Sequence, residues 1–197
     1  ELVGLIEPTI EFDGYTDPEA TKKKILTDVL QKGDRYFRTG DLLRYDDDNY
    51  LWFVDRVGDT FRWKGENVST GEVAAAISEI DGITEANVYG VKIPGSEDGR
   101  ACMVAITTKN QRMPDFNLFL KHVDDNLASY QRPLFVRLLP EMQSTTTFKQ
   151  RKVDFVKEGF NPRVVSDQLY WFNTERKKYE KLDNNAYNII VNGRSRL

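Results

Sequence analysis

The chain has 197 residues, 40% of them hydrophobic and 30% charged, enough to bury one core with some attached structure. Its net charge of -3 and pI near 5.4 exclude the concentrated positive charge with which proteins meet a nucleic-acid polyanion. One cysteine, Cys102, and one histidine, His122, rule against a disulfide framework, a histidine-rich metal site and a Ser-His-Asp triad with a histidine to spare. Cys102 lies in an apolar run and reads as a small buried hydrophobe in a reducing compartment. No apolar stretch has the length of a transmembrane helix. The start, Glu1-Leu2-Val3-Gly4-Leu5-Ile6, has neither an initiator methionine nor signal-peptide form, and reads as a cut from a longer chain.

Along the chain, Asp17-Pro18 supplies an N-cap and a first-turn proline, and Ile25, Leu26, Val29 and Leu30 follow with helical spacing up to Gly33, so a helix is expected there. Leu42 to Tyr45 and Tyr50 to Val54 are strand-like runs around the turn-forming Asp46-Asp47-Asp48-Asn49, which predicts a hairpin with a solvated acidic turn. Asp55-Arg56-Val57-Gly58-Asp59 is polar and contains glycine, and a domain boundary is placed there: residues 1–55, then 56–160, then a tail, 161–197.

Beyond that joint the apolar period alternates between those of helix and strand, which predicts an α+β fold, a small mixed domain with helices packed on a sheet. Ser69 with Glu72 fits a capping box, and Val73, Ile77 and Ile80 continue as one helical stripe. Ala86 and Val88 are out of phase with Val91 and Ile93 across Gly90, which suggests a bulge. Ala101 to Ile106 is a buried strand. Phe116, Phe119, Leu120, Val123 and Leu127 form an amphipathic helix, and Leu134 to Leu139 returns to strand character. A short helix is expected over Gln150 to Glu158, stopped by Gly159, with Leu169-Tyr170-Trp171-Phe172 in an appended hairpin or tail.

Tyr36-Phe37-Arg38-Thr39-Gly40-Asp41 sets a carboxylate behind a glycine that admits close backbone approach. An ionised carboxylate only accepts hydrogen bonds, which suits a pair of sugar hydroxyls. Arg56 offers a rigid fork of donors for a ribose or phosphate oxygen. Each element alone has a plain reading, as a turn or a surface cation.

Their order and spacing resemble the adenylate-forming superfamily of acyl-CoA synthetases, luciferases and peptide-synthetase adenylation domains. The patterns Tyr-x-Thr-Gly-Asp and Gly-Arg-x-Asp-x-x-(Ile/Leu)-Lys-x-x-Gly are similar to Phe37 to Asp41 and Asp55 to Gly65. More narrowly, Val54-Asp55-Arg56-Val57-Gly58-Asp59-Thr60-Phe61-Arg62-Trp63-Lys64-Gly65-Glu66-Asn67-Val68 resembles the signature of fatty acid transport proteins, the very-long-chain acyl-CoA synthetases. Phe12 to Tyr15, Val88 to Val91, Arg132 to Pro140 and Thr147-Phe148-Lys149 extend the likeness over nearly the whole chain. Two positions depart from the broader superfamily and fit the narrower family: Gly58 replaces the usual Asp or Lys of the hinge, and Phe148 the usual glycine before the lysine.

The resemblance implies the end of a large adenylation domain followed by its mobile carboxy-terminal domain. It also implies a reaction in which a fatty acid and ATP give an acyl-adenylate and pyrophosphate, after which the CoA thiol displaces AMP. By this likeness Lys149 is the catalytic lysine of adenylation, Asp41 and Arg56 bind the nucleotide, and Gly58 is the hinge. Arg62, Trp63, Lys64, Gly65 and Glu66 face CoA, with packing of Trp63 across the domain joint as the alternative. Magnesium would arrive with ATP and be held mainly by amino-terminal sequence, no metal site being expected in this chain, and membrane attachment would also come from upstream. The fragment alone is expected to be inactive. A non-enzymatic fatty acid carrier and a ligase for a different acid are the competing readings. Ser195-Arg196-Leu197 matches a variant of the Ser-Lys-Leu address, so a peroxisomal import receptor and peroxisomal location are expected, with endoplasmic reticulum, lipid droplet or plasma membrane as alternatives.

Overall fold

A computed structural model describes residues 1–7, 12–57, 60–141 and 148–195, in two compact units, Glu1–Gly58 and Asp59–Leu197. Gly58, Thr147, Arg196 and Leu197 lie outside the described residues, and so does the side chain of Lys149.

In the first unit, β1 (Val3–Leu5), β2 (Ile25–Thr27) and β3 (Arg35–Arg38) form an antiparallel sheet in the order β1-β3-β2. A separate hairpin pairs β4 (Asp41–Tyr45) with β5 (Leu51–Arg56), as the sequence predicts. Asp46 organises its turn: one carboxylate oxygen accepts from the amides of Asp48 and Tyr50, and the other from the Trp52 indole at 2.6 Å. The helix expected up to Gly33 is much shorter. Helix α1 is Pro18–Lys23, capped by Asp17 as expected, and Ile25 to Thr27 leave it to pair with β3. The apolar spacing that suggested a longer helix is overridden by strand pairing, in which β-branched Ile25 lies opposite Phe37. Residues 28–34 are then held as a loop by the Asp34 carboxylate, which accepts from the amides of Val29, Leu30 and Gln31 at 2.7–2.8 Å.

The second unit is built on a five-stranded mixed sheet in the order β12-β11-β10-β9-β8: β8 is Ile83–Val91, β9 Ala101–Thr108, β10 Phe135–Leu138, β11 Gln168–Asn173 and β12 Lys178–Lys181. The pair β9 and β10 is parallel and the others are antiparallel. Register places Tyr89, Met103, Phe135 and Trp171 in one row across the sheet, and Val88, Val104, Val136 and Tyr170 in the adjacent row on the opposite face.

Helices α2 (Thr70–Ser78) and α3 (Phe116–Asn126) share one side, joined by a 2.9 Å hydrogen bond from His122 Nε2 to the Ala76 carbonyl, while Phe116 and Phe119 pack on Tyr179. Helix α4 (Phe148–Glu158) takes the other side, where Phe155 stacks on Tyr89. Helix α5 (Asn184–Val191) joins it there, with Tyr187 against Phe160, whose ring stacks on Phe135. Ser69 caps α2 by accepting from the Glu72 amide, the first half of the expected capping box, while the Glu72 carboxylate accepts from Gln131.

Two further expectations change. Gly90 does not mark a bulge: it pairs in register with Cys102, and the irregularity falls between Ile83 and Glu85. A Cβ on Gly90 would sit 2.5 Å from Phe61 Cγ, so the glycine serves the close approach of that ring. Residues 161–197 are also more than an appendage. They form a hairpin, as expected, but it completes the central sheet and buries Leu169, Trp171, Phe172 and Tyr179.

Gly90→Ala is expected to cost about 1–3 kcal/mol by overpacking Phe61, read as a lower midpoint of thermal unfolding; an unchanged midpoint would disprove the crowding. Cys102 is fully buried and burial pushes its thiol well above the usual range. Alkylation at neutral pH is therefore expected only after unfolding, as mass spectrometry of native and denatured protein would record.

Candidate functional site

Asp41 opens β4 and Arg56 closes β5, so the hairpin register sets the two residues directly opposite. Arg56 Nε donates to Asp41 Oδ1 at 2.9 Å. The approach to Asp41 is fixed by the backbone: Gly40 has φ +83, where L side chains are strained, and the Gly40 carbonyl accepts from Val57 N at 2.6 Å. Lys24 Nζ adds bonds to the carbonyls of Arg38 and Thr39. The result is a half-exposed carboxylate beside a guanidinium on a stiff two-stranded support. The second Asp41 oxygen is an acceptor of the kind that a pair of hydroxyls requires.

The segment Arg62 to Glu66 forms the tip of a second hairpin, β6 (Phe61–Trp63) with β7 (Glu66–Val68). Lys64 and Gly65 have φ of 49° and 87°, both left-handed, as a two-residue turn matched to strand twist demands. Residues 98–100 dock on the hairpin: Lys64 N donates to the Asp98 carbonyl and Arg100 N to that of Arg62. Gly99 lies so close that a Cβ would run into the Arg62 carbonyl. Strand alternation sends Phe61 and Trp63 inward and Arg62 outward. Trp63 is 3% exposed, part of the core of its own unit, while Arg62, Lys64, Gly65 and Glu66 are exposed. Lys64 Nζ lies 5.5 Å from the Trp63 ring centroid, so the cation borders the ring that the core conceals.

Lys149 belongs to the first turn of α4. That helix is anchored by contacts that no sequence pattern indicated. Lys152 Nζ donates to Thr70 Oγ1 at 2.9 Å, Phe155 stacks on Tyr89 and has the guanidinium of Arg137 over its ring, and Glu158 pairs with Arg137. Arg137 is 6% exposed and also donates from Nε to Asp167 Oδ2 at 2.7 Å. Removing Glu158 or Asp167 would leave the buried guanidinium less well matched, at a cost that solvent around the partly exposed carboxylates reduces. These pairs span 21 to 82 residues, beyond the reach of local motif reading. Among the described residues, no group of three or more His, Cys, Asp or Glu is arranged to hold a metal ion, and no helix is long and apolar enough to cross a membrane.

The five-stranded mixed sheet and its flanking helices match the carboxy-terminal part of adenylate-forming enzymes. Residues 72–149 match the family AMP-binding enzyme C-terminal domain, the match ending on Lys149. ATP-bound MatB from Rhodopseudomonas palustris is similar in structure, with a TM-score of 0.61 and 25% identity over 78% of this chain and 30% of that one. The o-succinylbenzoate CoA synthetase of Bacillus subtilis, in complex with its acyl-adenylate intermediate, shares the fold at a TM-score of 0.55 and 21% identity over 66% of this chain and 25% of that one.

Within that class the chain belongs to the fatty acid transport protein family, as a carboxy-terminal portion. It is 44% identical over 191 residues to long-chain fatty acid transport protein 6 of Mus musculus, covering 96% of this chain and 31% of that protein. It is 45% identical over 195 residues to transport protein 1 of Bos taurus, covering 98% and 30%. The chain thus spans about a third of the length of the curated relatives it matches.

The Asp41–Arg56 pair is exposed, so a double-mutant cycle with Asp41→Asn and Arg56→Gln should return a stability coupling below about 1 kcal/mol in urea unfolding. A coupling of several kcal/mol would make the pair a structural clamp and remove the reason to assign it to ligand binding.

Proposed function

We propose that this chain forms part of an ATP-dependent fatty acyl-CoA ligase, in which a fatty acid is activated as its acyl-adenylate and then transferred to the CoA thiol. The observation that carries this reading is the paired Asp41 and Arg56 on a rigid hairpin, in a chain whose family match ends on Lys149. Asp41 accepts from the ribose hydroxyls, and Arg56 both steadies that carboxylate and reaches a ribose or phosphate oxygen. Lys149 brings an ammonium to the carboxylate attacking the α-phosphate, where negative charge grows in the transition state. The remainder of the nucleotide site and the acyl pocket belong to sequence that the longer relatives possess, and magnesium enters with ATP.

For the second half-reaction the exposed tip at Arg62, Lys64, Gly65 and Glu66 meets CoA. With Trp63 buried in the core, the tip offers cations and close backbone approach rather than an aromatic face. Recognition there is by charge on the phosphates, with Gly65 giving pantetheine a passage in which nothing lies within 4 Å of its would-be Cβ. Gly58, the last residue of the first unit in sequence, takes the hinge role that the family likeness gives it, a residue without a side chain being the least hindered in switching backbone dihedrals between the two half-reactions.

In the full-length enzyme, Lys149→Ala is expected to lower adenylation, followed by pyrophosphate release, by about 100-fold or more. Thioester formation from supplied acyl-adenylate should stay within a few fold of the parent. Equal loss in both half-reactions would overturn the role given to Lys149, and loss in neither would overturn the ligase reading.

A further inference from the structure

Helix α4 carries Lys149 in its first turn, and position 152 is its neighbour on the i+3 ridge of that helix. Lys152 Nζ donates to Thr70 Oγ1 at 2.9 Å. Thr70 is the first residue of α2 and 5% exposed, and it follows the tip hairpin, which ends at Val68, by two residues. A hydrogen bond made three residues beyond Lys149 therefore joins α4 to the base of the hairpin bearing Arg62 and Lys64, across 82 residues of sequence.

Helix stability alone does not account for this bond. Ser69 already caps α2 through the Glu72 amide. An ammonium beside a helix N-terminus gains nothing from the helix dipole, whose positive end lies there. Ordering a lysine side chain also costs rotamer entropy. The far half of α4 has its own anchors, Phe155 against Tyr89 and the Arg137 guanidinium, and Glu158 paired with Arg137. The Lys152–Thr70 bond ties α4 to α2 three residues beyond Lys149, nearer the start of the helix than either of those contacts.

We propose that Lys152 and Thr70 are positioning residues that fix the first turn of α4 on α2, so that the adenylation lysine and the 62–66 hairpin are held in a single rigid frame. This rests on the ligase reading above. It predicts a selective defect: loosening the bond lets the turn of Lys149 wander while the hairpin, docked separately on residues 98–100, keeps its place. A misplacement of about 1 Å at a reacting group can cost up to a hundredfold in rate.

The test uses the full-length enzyme with Thr70→Val, Thr70→Ser, Lys152→Met, the Thr70→Val/Lys152→Met pair, and Lys149→Ala as reference. Thr70→Val and Lys152→Met should each lower kcat for adenylation about tenfold, with KM for ATP within twofold, because nucleotide binding is left intact. Thioester formation from supplied acyl-adenylate should be unchanged within twofold. Thr70→Ser, which keeps the hydroxyl, should retain parental activity, and the pair should lose less than the two single changes added together. Unfolding midpoints within a few degrees of the parent would separate positioning from general destabilisation; should Lys152→Met fail to fold, Thr70→Val and Thr70→Ser decide alone. Parental adenylation in Thr70→Val, equal loss in both half-reactions, or additive effects in the pair would overturn the inference. If Lys149→Ala abolishes adenylation while Thr70→Val does not, only the positioning role fails. If Lys149→Ala has no effect, the ligase reading fails first.

Discussion

Strand β9 is buried on both faces from Ala101 to Thr107, and the placement of the second unit depends on it. A strand with no solvent face favours a continuous apolar run, which Ala101-Cys102-Met103-Val104-Ala105-Ile106 supplies without alternation, and the buried Thr107 hydroxyl is hydrogen-bonded to that of Thr84. Its parallel pairing with β10 requires a crossover, which α3 supplies while covering one face. Its antiparallel pairing with β8 brings Tyr89 beside Met103, and so fixes the platform on which Phe155 of α4 stacks. Two covered faces around one fully buried strand give α4 a defined seat, and the seat defines where the first turn of α4 begins.

The candidate functional groups lie at the margins of this framework. Asp41 and Arg56 stand at the open end of a two-stranded hairpin in the other unit, and Arg62 to Glu66 at the tip of another. Such positions combine exposure with a backbone whose direction is set by paired strands, which is how a protein offers charged groups to a ligand without unfolding a core. The cluster of Arg137, Glu158, Asp167 and Tyr89 has the opposite character. Its guanidinium and phenol are buried, and the partly exposed Glu158 and Asp167 carboxylates answer the buried positive charge. Its effect is to bind the end of α4 and the approach to β11 to the sheet through one guanidinium.

Much of this was legible in the sequence where a single local force decides. The run from Ala101, the stripe of α3, the Ser69 cap and the Asp46 turn all depend on periodicity or on side-chain to backbone bonds over a few residues. The failures share a cause in distant partners. Ile25 and Leu26 have helical spacing with Val29 and Leu30, yet pair with Phe37 and Tyr36 of β3. Gly90 broke the alternation of its strand because Phe61, far off in sequence, needed its space. The last segment read as a tail because its strands have no neighbour of their own. In the folded chain Tyr179 donates to the Pro133 carbonyl at 2.7 Å, and β11 pairs with β10. Lys149 was legible only through resemblance, since its local sequence is one lysine among several cations.

Trp63 shows how the fold refines what a motif implies. In the sequence, Arg62-Trp63-Lys64 suggests a cationic and aromatic surface. The hairpin turn at Lys64 and Gly65 fixes the strand phase, and that phase turns Trp63 inward whenever Phe61 is inward. Exposing the ring would require a register slip that also turns out Phe61, the residue for which Gly90 leaves room. The same backbone constraint that docks the hairpin on residues 98–100 therefore dictates what its tip presents: a guanidinium, an ammonium and an unobstructed glycine.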